Sequence, residues 1–144
     1  MKFHFMDKDL EQEYEQAVQR LQKDVSTQNI ARLRALSIKK GIPTKQLRSR
    51  CWKIFLQAPQ IDVPAYYKLV ELGPSKFADK IQKDTSRTFT SNVLFQEIVS
   101  EASLIRILNA VVQNSSISYM QGMNALLGPL LFVMSEPEAY FCFV

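Results

Sequence analysis

The sequence predicts an all-α fold, a multi-helix domain. Three observations carry this. Apolar residues recur at helical spacing through most of the chain, helix start and stop signals fall between those stripes, and no strand-like alternation competes with them. Only four glycines and six prolines stand among 144 residues, too few for a turn-rich β-sandwich or a low-complexity repeat. With 47% apolar residues, the chain has enough core material to exclude disorder. At this length a compact chain buries roughly 70% of its extended surface.

The first helix is expected from Asp7 to about Lys23. Leu10, Tyr14, Ala17, Val18 and Leu21 form one stripe, and the charge runs from acidic (Asp7, Asp9, Glu11) to basic (Arg20, Lys23) in the sense that suits the helix dipole. Residues 28–40 form the second, with Ile30, Leu33 and Leu36 inward, Ile38 as a further candidate, and Gly41 as its stop. Thr44 caps a third, whose inner face is Leu47, Cys51, Ile54 and Phe55. Asp62 caps a fourth, with Pro64 in its first turn and Gly73-Pro74 at its end. A helix over residues 75–83 follows, then a polar loop from Asp84 to Asn92. Apolar helices are expected from Val93 to Val99 and from Ala102 to Val112, with a break at Gln113-Asn114-Ser115-Ser116. Met123 to Met134 reads as apolar all round, hence buried, with Pro129 inside it. Ser135-Glu136-Pro137-Glu138 is a capping box that announces a last helix. The sequence stops nine residues later, inside the apolar run Ala139 to Val144, where a mean helix has about eleven or twelve residues. Such an ending reads as a domain cut short or as a tail that docks.

Composition excludes several chemistries. The one histidine, His4, lies at the N-terminal end, a poor place for a catalytic triad. Cys51 and Cys142 are far apart and form no CxxC pattern, so a zinc ribbon or disulfide framework is excluded and buried thiols are expected. None of the four glycines falls into a phosphate-binding loop. No signal peptide is recognisable, and the longest apolar run, Ala125 to Met134, is ten residues, too short to span a bilayer. The net charge of +4 is unevenly spread: no acidic residue stands between Asp24 and Asp62, a stretch with eight basic ones. That stretch reads as a solvated helix pair or as a face for an acidic partner or anionic membrane. Nucleic acid is disfavoured, since Trp52 is its one interleaved aromatic among the basic residues from Arg32 to Lys53.

Three short motifs can carry chemistry. Arg48 and Trp52 are four apart on a helix, a spacing that lets the guanidinium lie over the indole. Asp84 and Arg87 are three apart at a helix end, where the carboxylate can hold the guanidinium in one orientation. In Tyr119-Met120-Gln121-Gly122-Met123-Asn124, the Gln121 carboxamide both donates and accepts, so it can orient a water, and Gly122 leaves room for another backbone beside it.

In this order, RxxxW, IxxDxxRT and YxQGMN together resemble the TBC domain of Rab-type GTPase-activating proteins. Leu72-Gly73-Pro74-Ser75, Leu104 to Ala110 and Met123 to Leu131 are similar to the fungal-type mitotic-exit and septation checkpoint branch. The resemblance covers about Gly41 to Val144. It implies an N-terminal helical extension over residues 1–40 and the N-terminal half of a TBC domain over 41–144, truncated. It further implies a GTPase activator rather than an enzyme in its own right. Arg87 would stabilise the phosphate oxygens as GTP is cleaved, and Gln121 would position the attacking water. Asp84 would orient Arg87; Tyr119, Gly122 and Asn124 would shape the glutamine loop; Arg48 and Trp52 would be scaffold or interface. The chain would need no cofactor or metal of its own, because GTP and Mg²⁺ belong to the partner, a small GTPase in its GTP-bound form. A scaffold protein completing a two-component activator, a cytoplasmic location and action at the spindle pole body or centrosome are implied by the checkpoint branch. Two other readings stay open: an incompetent half-domain that binds a GTPase or scaffold, and a membrane-traffic Rab GAP. An incomplete domain would leave an apolar face of the helix from Met123 exposed.

Overall fold

A computed structural model describes residues 3–115 and 117–144, with side chains from Lys8 onward; the side chain of His4 and all of Ser116 lie outside the described residues. Among the described residues there are nine helices and no strand. None of these helices is long and apolar enough to cross a membrane. The chain divides into two compact units, Met1–Ala58 and Pro59–Val144.

The first unit is a three-helix cluster of α1 (Phe3–Lys23), α2 (Thr27–Lys40) and α3 (Lys45–Phe55). Helix α1 starts a turn before the expected Asp7, so its first turn carries no acidic residue; Arg20 and Lys23 do lie in its last turn. Ser26 caps α2 by accepting from the Asn29 N–H, and Thr44 caps α3 by accepting from the Leu47 N–H at 3.2 Å. The expected stripes meet in one core of Tyr14, Val18, Leu21, Leu33, Leu47 and Cys51. Ile38 is not part of it: it is 82% exposed, because the face that turns inward is set by Leu33 and Leu36. The buried Tyr14 hydroxyl donates to the Gly41 carbonyl at 2.8 Å, so its polar end is satisfied. Burial pushes the Cys51 thiol up to about 11, the behaviour of a core residue rather than a nucleophile.

The second unit is built around α7 (Glu101–Asn114), which packs on α4 (Val63–Glu71), α5 (Ala78–Thr85), α8 (Met123–Val133) and α9 (Glu136–Phe143); α6 (Val93–Ile98) lies between α5 and α7 in the chain. Asp62 caps α4 and Ser100 caps α7 through side-chain oxygens. Helix α5 starts at Ala78 rather than 75; before it, Ser75 donates its N–H to the Asn109 side chain at 2.7 Å. It also runs to Thr85, past the expected loop start at Asp84. Helix α7 runs two residues into the expected break, where Gln113 donates to the Gly73 carbonyl and Asn114 to the Tyr140 hydroxyl, both at 2.9 Å, and it ends inside that break, with Ser115 in extended backbone.

Ser135 and Glu138 form the expected cap of α9, the Glu138 carboxylate accepting from the Ser135 N–H and hydroxyl. The first part of the apolar run packs inward, Tyr140 being 1% exposed with its ring 5.1 Å from that of Tyr66, whereas Phe141 to Phe143 are half-buried and Val144 is exposed. Glu136 joins three helices, taking two hydrogen bonds from Arg106 at 2.7 Å each and one from Tyr66 at 2.6 Å. Helix α8 is not buried all round as its composition suggests; it has the exposed apolar face that is the other expectation for it. Leu127, Gly128, Leu130, Leu131 and Val133 are buried, but Ala125, Leu126 and Pro129 face outward, Leu126 at 70% exposure.

Candidate functional site

Asp84 sits in the last turn of α5, 4% exposed, and four groups converge on it. Arg87, one turn further on, donates to its Oδ1 from Nη2 at 2.5 Å. The Tyr119 hydroxyl, arriving from the segment before α8, donates to Oδ2 at 2.9 Å. Asn124, in the first turn of α8, donates from Nδ2 to the Asp84 carbonyl at 3.2 Å and to Thr88 Oγ1 at 2.8 Å. Thr88 Oγ1 in turn donates to the Asp84 carbonyl at 2.9 Å. One acidic residue thus braces two loops, the one carrying Arg87 and the one carrying Gln121.

Burial alone would raise the Asp84 pKa. The hydrogen bonds from Arg87 and Tyr119, with the charges of Arg87 and Lys80, outweigh it and hold the carboxyl below its ordinary range. Burial, and then the neighbouring Asp84 carboxylate, push the Tyr119 phenol the other way, so it stays protonated and donating. Lys80 Nζ lies 5.7 Å from the centre of the Tyr119 ring.

The two candidate finger residues are presented differently from their supports. The Arg87 side chain is 63% exposed, so its guanidinium is tethered on one edge and open on the others. Gln121 is exposed in the turn before α8, two residues after Tyr119 and three before Asn124. Gly122 caps α8 with φ +99°, a left-handed backbone that a side chain would strain. That conformation is the reason for glycine here: among the described residues nothing lies within 4 Å of where its Cβ would be, so the expected close approach of another backbone is absent.

Arg48 and Trp52 lie in the first unit. Arg48 does not stack on the indole; its Nη2 donates to the Ile42 carbonyl at 2.9 Å, which bonds α3 to the segment that precedes it. The cation over a ring in that unit is Arg34, 5.6 Å from the centre of Phe55. Sequence reasoning gave no role to Gln96 or Gly128, and it quoted Thr88 only as the end of the IxxDxxRT motif. Gln96 donates to the Thr88 carbonyl at 3.0 Å and so ties down the end of the arginine loop. A Cβ on Gly128 would stand 2.7 Å from the Phe89 ring, so this glycine gives Phe89 its seat, and Phe89 itself takes φ +48°. The glycine inside an apolar helix was the available signal.

Among the described residues no group of three or more His, Cys, Asp or Glu is placed to hold a metal ion. Both Asp84 oxygens are already engaged. What the arrangement offers is an exposed, anchored cation and an exposed amide on a second loop braced to the same acid, the equipment for stabilising an anion outside this chain.

This chain belongs to the Rab-GTPase-TBC domain family, whose model matches residues 45–144. Cell division control protein 16 of Schizosaccharomyces pombe is 42% identical over 94 residues, 65% of this chain and 31% of that protein. The mitotic check point protein BUB2 of Saccharomyces cerevisiae is 35% identical over 138 residues, 80% of this chain and 45% of that one. A Dictyostelium discoideum protein with a provisional BUB2 mitotic check point name is 39% identical over 132 residues, 80% of this chain and 36% of that one. The chain therefore spans less than half the length of these relatives. No solved structure matches it. The family match begins at residue 45, inside the first compact unit, so α3 belongs to the family's domain by sequence and to the α1–α2 cluster by packing.

Proposed function

We propose that this chain is a GTPase-activating protein for a small Rab-like GTPase, acting in mitotic-exit and cytokinesis checkpoint control. In this reading Arg87 and Gln121 are lent to the partner's nucleotide site. Arg87 offsets charge on the phosphate oxygens as GTP is cleaved, and Gln121 holds the attacking water. The GTP-bound partner supplies the nucleotide and Mg²⁺, this chain no cofactor. A separate scaffold subunit and cytoplasmic action at the spindle pole belong to the same proposal; the relatives' names, a cell division control protein and a mitotic check point protein, support its cell-cycle setting.

The observation that carries the reading is the shared brace at Asp84. Its side chain and carbonyl bond Arg87, Tyr119 and Asn124, which couples the position of the arginine to that of the loop bearing Gln121. A merely structural ion pair needs no such link to an exposed amide. The test is single-turnover GTP hydrolysis across a panel of GTP-loaded small GTPases. Stimulation that disappears in Arg87→Ala and drops in Gln121→Ala supports the proposal; stimulation that survives Arg87→Ala removes that residue from the chemistry. The responding GTPase separates a checkpoint activator from a membrane-traffic one.

A second reading has its own observation. Met120 and Leu126, 61% and 70% exposed, flank the Gln121 turn in sequence and offer apolar contact area. They favour an interaction module that binds a GTPase or scaffold. Binding to the GTP-loaded partner with no acceleration of hydrolysis is its signature.

A further inference from the structure

Phe89 stands two residues after Arg87 with φ +48°, and a bulky side chain in the left-handed region is strained. Such a conformation persists only where the surroundings hold it. Here the Phe89 ring meets the Phe95 ring edge to face, with centres 4.9 Å apart. The Phe89 carbonyl accepts from the Asn92 N–H at 2.9 Å and from Gln96 Nε2 at 3.4 Å. The ring edge lies so close to Gly128 of α8 that a Cβ there would stand 2.7 Å from Cε2 and 3.2 Å from Cδ2. Gly128 sits inside a helix without a positive φ, where glycine is disfavoured against alanine. What it provides is the space for this ring.

The register along α8 gives the contact its meaning. Asn124 and Gly128 are four apart and so share one face of that helix. Asn124 donates to Thr88 Oγ1 at 2.8 Å, and Gly128 receives the ring of the next residue, Phe89. Consecutive loop residues thus hold consecutive turns of α8. The brace at Asp84 is one attachment between the arginine loop and the helix that follows Gln121, and a single attachment leaves a pivot. An apolar attachment one turn further along fixes the angle. We propose that Phe89 and Gly128 are positioning residues: the ring in its notch locks the Arg87 loop to α8 and so sets where Arg87 stands relative to Gln121. The catalytic consequence rests on the GTPase-activating reading; the lock itself does not.

The test compares Gly128→Ala with the double variant Gly128→Ala, Phe89→Leu in the full 144-residue chain. In Gly128→Ala the ring edge must retreat by about 1 Å to reach ordinary contact. The maximal single-turnover rate of GTP hydrolysis should fall by about ten- to hundredfold, with the half-saturating concentration of the chain little changed. Hydrogen exchange read by NMR should show the Asn92 amide exchanging about three- to tenfold faster, the weight of one lost aromatic contact. The amides of α7 should not follow. The smaller leucine should restore both readouts. Phe89→Ala, at a site 40% exposed, should release the loop in the same way and keeps the test decisive if Gly128→Ala does not fold. Unchanged exchange at Asn92 in Phe89→Ala, equal acceleration throughout α7, a full rate in Gly128→Ala, or a loss that leucine does not reverse overturns the proposal. If the wild-type chain accelerates no GTPase, the GTPase reading falls, and exchange at Asn92 still decides the lock.

Discussion

The two units of this chain place their charges in opposite ways. In the first, the buried side chains of the described residues carry no charge, the polar ones being the Tyr14 hydroxyl and Ser49, and the ion pairs Lys40–Glu13 and Arg50–Glu15 ride on the surface, every partner at least a third exposed. In the second, carboxylates go inside. The Asp84 side chain is 6% exposed and that of Glu136 16%, each held by an arginine and a tyrosine from another part of the unit. An apolar core accepts many packings of similar energy, whereas a buried carboxylate is stable only in the geometry that satisfies it. The second unit therefore specifies where its loops stand, and those loops carry Arg87 and Gln121.

This contrast can be broken at graded cost. Arg87→Ala should have the largest effect on function and a much smaller one on stability. An arginine finger is worth about 10³–10⁵ in rate, while the loss of one hydrogen bond to the buried Asp84 carboxylate should cost about 1–3 kcal/mol. Stopped-flow hydrolysis and a thermal melt read the two together. Leu33→Ala, in the core of the first unit, should cost about 2–4 kcal/mol in urea unfolding. Asp84→Ala should cost somewhat less, about 2 kcal/mol, because it leaves the buried Tyr119 hydroxyl unpaired. It should also reduce hydrolysis, since both loops lose their brace, and a variant that lost stability without losing rate would separate the brace from the chemistry.

The acid response distinguishes the units more gently. Asp84 and Glu136 have folded pKa values below their ordinary 3.8 and 4.5; burial raises each, but the hydrogen bonds from arginine and tyrosine win. The unfolded chain then binds more protons than the folded one. The stability these two groups supply is present above roughly pH 5 and is lost as the pH falls through the folded values. Urea midpoints measured from pH 6 to pH 3 should fall, and Asp84→Asn should flatten that slope. The smallest effect belongs to the first unit. Glu13→Gln should change stability by under about 1 kcal/mol, and less in high salt, because its ion pair with Lys40 is half exposed. A larger loss would mean that this pair is as specific as the buried ones.

Much of this was written locally. Thr44, Asp62 and the Ser135–Glu138 box cap helices where their side chains can reach an N–H a turn away. The apolar stripe of α1 and the partnership of Asp84 with Arg87 likewise depend only on helical spacing. The differences have separate causes. Gln113 and Asn114 extend α7 by two residues because they bond partners 40 and 26 residues away, Arg48 found the nearby Ile42 carbonyl instead of the Trp52 ring, and Leu126 lies on the outer face of a helix whose composition alone shows no polar side.

By itself, the sequence determined the helical class and most helix ends, since these rest on interactions within about one turn of the chain, and it offered the candidate residues through a family resemblance. Only the tertiary structure decided that Tyr119, 35 residues from Asp84, closes the brace between the two loops. Only it decided that Arg106 and Tyr66 hold Glu136 inside. The reason is physical. A hydrogen bond across 35 residues is set by how helices pack, and helix packing depends on every buried side chain at once.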